Sequence, residues 1–146
     1  ERYADGFTQD TPILGWSMSK SITNTLAGIL VKDKVLDLGS RAPVDAWKSP
    51  DDKRHQITLD MMLRMSTGLE FEETYAPFKD ATTMLYASKS MASFAASKPL
   101  ETEPDTKWYY SSGTANIIAR LCCRHCMARR SSLFLDVAPR TVPLAH

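Results

Sequence analysis

Between Ser17 and Lys32 the apolar residues Ile22, Leu26, Ile29 and Leu30 return at intervals of three and four, the repeat of one helix face. The spacing predicts a helix over 17–32, with Ser17 or a neighbour as its cap and Gly28 as the one weak helix former inside it. "DKVLDLGSRAPVDAW" then breaks the repeat at Asp33, Gly39 and Pro43, which predicts a loop folding back across the domain. In "ITLDMMLRMSTGLEF", Thr58 stands as a cap before Asp60, Met61, Met62, Leu63 and Met65, and Gly68 stands where a helix C-terminal glycine belongs, so a short helix is expected. Residues 80–97 put Met84, Leu85, Met91, Phe94 and Ala95 on one apolar face, with Asp80 as cap, and read as one further helix. "KPLETEPDTKW" is a polar connection, after which "SSGTANIIARL" opens a last helix beyond Tyr110. No repeat or low-complexity segment interrupts this largely helical pattern.

Composition narrows the class. A chain of 146 residues is the size of one ordinary domain, able to bury about 70% of its unfolded surface. Hydrophobic residues at 43% and charged residues at 24% place it among globular proteins rather than disordered ones. Eighteen basic against seventeen acidic residues, net +1, set up no field for nucleic acid or anionic lipid. No apolar run approaches the ~20 residues of a membrane span. "ERYADGFTQDTP" has no signal-peptide pattern and no initiating methionine, which reads as a start inside a domain and assigns no localisation.

The pattern changes after Leu121. Cys122, Cys123 and Cys126 are the only cysteines, arginine replaces lysine entirely, and glycine is absent. Residues 1–121 are therefore read as the domain and 122–146 as an atypical tail of the kind a frameshift or alternative exon produces. Within "CCRHC", Cys123, His125 and Cys126 crowd too short a span to supply the four tetrahedral ligands zinc requires, and the other histidines are His55 and His146. They are read as thiols rather than ligands, and no metal is assigned. The basic "RHCMARR" lacks interleaved aromatics and reads as a solvated helix end. Met61, Met62 and Met65 have core spacing, and Glu70, Glu72 and Glu73 read as a solvated loop.

Reactive chemistry enters with "GWSMSKSITNTLAGILV". Positions i and i+3 of a helix lie on one face with Cβ atoms about 5–6 Å apart, so Lys20 can reach the hydroxyl of Ser17. A serine hydroxyl attacks only as it loses its proton, and a neighbouring base can take it. An amine serves as that base once burial or nearby positive potential has favoured its neutral form, and a helix N-terminus supplies positive potential. The same turn offers backbone N–H groups to a developing oxyanion. Such a set works with side chains and backbone alone, without a cofactor.

This segment resembles the nucleophile helix of the serine β-lactamase and penicillin-binding protein superfamily, in its class C-like branch with the esterases and 6-aminohexanoate-oligomer hydrolases. "DKVLDLGSRAPV" is similar to the family's post-helix segment, "ITLDMMLRMSTGLEF" to its next helix and Ser-Gly-Leu turn, and "DTKWYYSSGTANIIARL" to its second catalytic element. Four segments occur in family order across residues 1–121. The resemblance implies an α/β, β-lactamase/transpeptidase-like fold represented mainly by its helical lobe, predominantly α with little sheet, the remaining strands belonging to missing flanks. It implies Ser17 as the acylated nucleophile, Lys20 as its activating amine and Tyr110 as the phenol relaying a proton to the leaving group. Ser112, where many relatives have asparagine, would be a polar substrate contact. A tyrosine of reference pKa ~10 beside a lysine of ~10.4 can share one proton, and either can be the base.

The family's third element, Lys or His followed by Thr or Ser and Gly, has no counterpart in "SSLFLDVAPRTVPLAH". Two functions are therefore expected. The first is a serine hydrolase working through an acyl-enzyme on a small amide, ester or lactam. The other is a non-catalytic truncated remnant or interaction module. A cysteine-based metal or redox module in the tail is a third, weaker reading.

Overall fold

A computed structural model describes residues 2–129, with side chains to residue 125. Residues 130–146, most of the segment read as a tail, lie outside the described residues, as do the side chain of Cys126 and the whole of His146. The described residues form α1 (Ser19–Lys32), α2 (Leu59–Leu63), α3 (Asp80–Tyr86), α4 (Met91–Ala96) and α5 (Ser112–Arg129), with single 3-10 turns at Trp16–Met18, Asp45–Trp47 and Lys53–Gln56. Among them pairing between extended segments is limited to two isolated antiparallel bridges, Arg41 with Thr58 and Leu69 with Leu100. The mostly helical architecture expected from the sequence is what forms.

α5 is the hub, and each of the other four helices packs against it. Its residues Ile117, Ile118, Leu121 and Cys122, spaced one and four apart, make a buried stripe. They share one core with Ala27 and Leu30 of α1, Leu59 and Met62 of α2, Met84 of α3, and Ala95 and Ala96 of α4. The alanines of α4 let it lie close to α5. At Gly113 the approach is tighter still: a Cβ there would sit 2.6 Å from the Phe71 ring and 3.1 Å from Ala95. The loop after α1 does fold back, carrying Trp47 into the core, where its indole N–H donates to Ala96 O at 2.9 Å. The position read as the end of the domain, Leu121, falls inside α5, which continues to Arg129.

Several local expectations change. The segment 80–97 is two helices, because Ser88 donates to Met84 O at 2.6 Å at the end of α3 and Ser90 accepts from Ser93 N to start α4. Serines that bond the backbone in this way compete with helix continuation. Asp80 is the first residue of α3 rather than its cap, which is Lys79; its carboxylate accepts from Glu72 N at 3.0 Å and pairs with Lys98. α2 stops at Leu63, and Met65 at φ 59° takes the left-handed position expected of Gly68. Gly68, at φ 73°, serves the next turn, where a Cβ would lie 2.4 Å from Thr102 O. Ile22 points to solvent, as do Ile13, Leu14, Trp16 and Met18 before it. Met62 is fully buried, while Met61 and Met65 are half-buried.

Thr58 caps α2 as its position predicts, its side chain accepting from Met61 N at 3.2 Å. Thr58→Ala is expected to cost about 1 kcal/mol, read as a lower urea midpoint with an unchanged slope.

Candidate active site

The site starts where the 3-10 turn Trp16–Met18 runs into α1, placing Ser17 and Lys20 one turn apart. Lys20 Nζ donates to Ser17 Oγ at 3.1 Å, the contact their spacing predicts. The residue before the serine, Trp16, has φ 42°, a left-handed conformation that is costly for a bulky side chain. It bends the chain as it enters the helix and presents Ser17 at the surface. Ser17 is not a cap: Met18 holds that position, with no side-chain hydrogen bond to the helix.

Tyr110 comes from the extended segment before α5, 93 residues along the chain, and its hydroxyl lies 2.8 Å from Ser17 Oγ. Lys20 Nζ also sits 4.8 Å from the centre of the Tyr110 ring. Two polar hydrogens thus converge on one oxygen, from α1 and from the approach to α5. Trp108 and Tyr109, its neighbours in sequence, are both exposed, so Tyr110 is not part of an aromatic cluster in the core.

Ser112 begins α5, and Lys20 Nζ donates to its Oγ at 3.2 Å. Ser111 caps the helix, its Oγ accepting from Thr114 N at 3.1 Å. The structure then adds Glu73, a residue whose sequence context predicts a solvated loop. Glu73 accepts Ser112 N on Oε2 at 2.7 Å and the Ser112 hydroxyl on Oε1. Its carboxylate lies at the N-terminus of an 18-residue helix, where the helix dipole favours negative charge. Of the other two acids, Glu70 is exposed and Glu72 pairs with Lys79 at 2.9 Å. Only long-range contacts distinguish Glu73; it is 39 residues from Ser112.

These neighbours act on the phenol. The interaction with the Lys20 ammonium, then the hydrogen bond to Ser17, hold Tyr110 below its ordinary value, while desolvation and the charge of Glu73 oppose them. A cleft of about 230 Å³ opens beside Ser17, walled by Trp16, Thr23, Tyr75, Met84 and Asn116. Ser17 is exposed to solvent, whereas Lys20 and Tyr110 are half-buried. A hydroxyl that is accessible, with an amine and a phenol both within hydrogen-bond reach, is the equipment of nucleophilic catalysis.

Among the described residues no cluster of histidine, cysteine, aspartate or glutamate is arranged to hold a metal ion. Cys122 is buried, Cys123 is exposed, and neither is in a disulfide. No helix among them is long and apolar enough to cross a membrane.

With this geometry established, the chain can be compared with known protein families. The family described as Beta-lactamase matches residues 2–132. The chain belongs to the β-lactamase family, within the serine β-lactamase and penicillin-binding protein superfamily. Comparison with curated proteins finds no match.

Proposed function

We propose that the protein is a serine hydrolase of the class C-like branch, acylated on Ser17 by a small amide, ester or lactam. The observation that carries this reading is the convergence of Lys20 Nζ and Tyr110 OH on Ser17 Oγ, at 3.1 and 2.8 Å. The tyrosine in the second element supports the class C-like assignment. The lowered pKa of Tyr110 supports the phenolate as base, with the Lys20 ammonium holding it in that form.

In the reaction, Ser17 Oγ bonds to the substrate carbonyl carbon while its proton passes to the Tyr110 phenolate, and the carbonyl electron pair moves onto oxygen. Collapse of this adduct breaks the bond to the leaving group, which takes the proton from Tyr110. Water repeats the sequence on the acyl-enzyme: Tyr110 accepts its proton, the ester bond to Ser17 breaks, and the proton returns to Ser17 as the acid leaves. Ser112, lining the cleft, carries the polar contact to substrate.

A fluorophosphonate probe tests this directly, since Ser17 Oγ would displace its fluoride. Peptide mass spectrometry is expected to find the adduct on Ser17. The labelling rate should rise with pH as the phenolate forms, with a midpoint below the ordinary tyrosine value of 10.0, and Tyr110→Phe should remove that limb. A folded sample that takes no label, or takes it elsewhere, overturns the reading and leaves the non-catalytic alternative.

A further inference from the structure

We propose that Glu73 is a positioning residue of this site, locking the Ser112 hydroxyl so that its lone pairs face Lys20 and hold that amine on Ser17. The inference rests on the hydrolase reading and adds a residue to it.

The argument is one of hydrogen-bond polarity. A carboxylate only accepts, and Glu73 takes both donors that Ser112 has, its backbone N–H at 2.7 Å and its hydroxyl. With its single proton committed, Ser112 Oγ keeps only lone pairs for its other neighbour. That neighbour is Lys20 Nζ at 3.2 Å, which in its charged form only donates. The amine is thereby spanned between Ser112 Oγ on one side and Ser17 Oγ, at 3.1 Å, on the other. An unrestrained serine rotates its proton freely and would face the ammonium part of the time with the wrong pole.

The anchor itself is firm. Ser112 is buried, and Gly113 beside it lies flush on Phe71, only two residues before Glu73. The loop after α2 and the start of α5 are thus fixed to each other by packing as well as by the carboxylate. Charge-assisted bonds to a helix N-terminus are among the stronger ones a loop can make. Glu73 touches Ser112 rather than Ser17, so it acts on the nucleophile through geometry; its charge mildly opposes formation of the Tyr110 phenolate, so losing that charge alone would not slow the reaction.

Glutamine at position 73 separates this role from mere bulk. Its one carbonyl oxygen can accept from Ser112 N or from Ser112 Oγ but not from both, and its amide turns the remaining bond around. Glu73→Gln is expected to lower the limiting inactivation rate by fluorophosphonate about 10- to 100-fold, the scale of a misplaced catalytic group, with little change in the probe's half-saturating concentration. In a Ser112→Ala background the same substitution should cost almost nothing, because the intermediary is gone. Glu73→Asp, which keeps the carboxylate, should recover part of the loss, and melting curves establish that each variant is folded.

If native protein labels on Ser17 and Glu73→Gln labels as fast, or if its loss is undiminished without the Ser112 hydroxyl, this inference fails and the hydrolase reading stands. If folded native protein takes no label at all, both fail.

Discussion

Ser17→Ala is expected to abolish fluorophosphonate labelling and to lower turnover of any cleaved ester or amide by about 10⁶-fold, the scale seen when a serine nucleophile is removed. Ser17 Oγ is the atom on which Lys20 and Tyr110 converge, and among the described residues no other hydroxyl receives both. Ser19 and Ser21 lie nearby in sequence, so the location of the lost adduct is as informative as its absence. Alanine is well tolerated at a helix start of this kind, and Ser17 is exposed, so the melting temperature should move little. Labelling that persists at full rate in the alanine variant would remove Ser17 from the mechanism.

The second large effect is expected at Lys20. Its ammonium bridges Ser17 and Ser112 and is the first cause of the lowered Tyr110 pKa. Lys20→Ala removes the bridge and that cause together, and should slow acylation by about 10²- to 10⁴-fold, the range of a positioned proton-transfer partner. The sign of the pH effect follows from the same contact. Without the ammonium the phenolate is less favoured, so the rising limb of the labelling rate moves toward higher pH, back in the direction of 10.0. A Lys20→Ala protein with an unshifted limb would mean that the lysine does not act on Tyr110.

The sequence made the local parts of this molecule legible. Three- and four-residue spacing pointed to α1, the polar connection before "SSGTANIIARL" to the opening of α5, and Thr58 to the start of α2. Ser17 and Lys20 could be paired because an i, i+3 contact is a property of the helix itself. Tyr110 required the family resemblance, because nothing local connects residues 93 apart. The errors have physical sources. An apolar stripe through 80–97 did not reveal that Ser88 and Ser90 would divert backbone groups to their own hydroxyls. Nor did the polar loop containing Glu70, Glu72 and Glu73 reveal that one of its acids would meet the start of a helix. A carboxylate at a helix N-terminus is predictable when it belongs to that helix; Glu73 belongs to a different segment.

The wide sequence separation of Ser17 and Tyr110 has a consequence for how the protein loses function. Both oxygens sit just outside the helices, Ser17 on the exposed 3-10 turn before α1 and Tyr110 on the extended segment before α5, so fraying at either helix start parts them while the α1–α5 packing holds. Reactivity toward an electrophile should therefore fade ahead of cooperative unfolding rather than vanish with it, making the centre an internal gauge of how firmly the two helix starts are held.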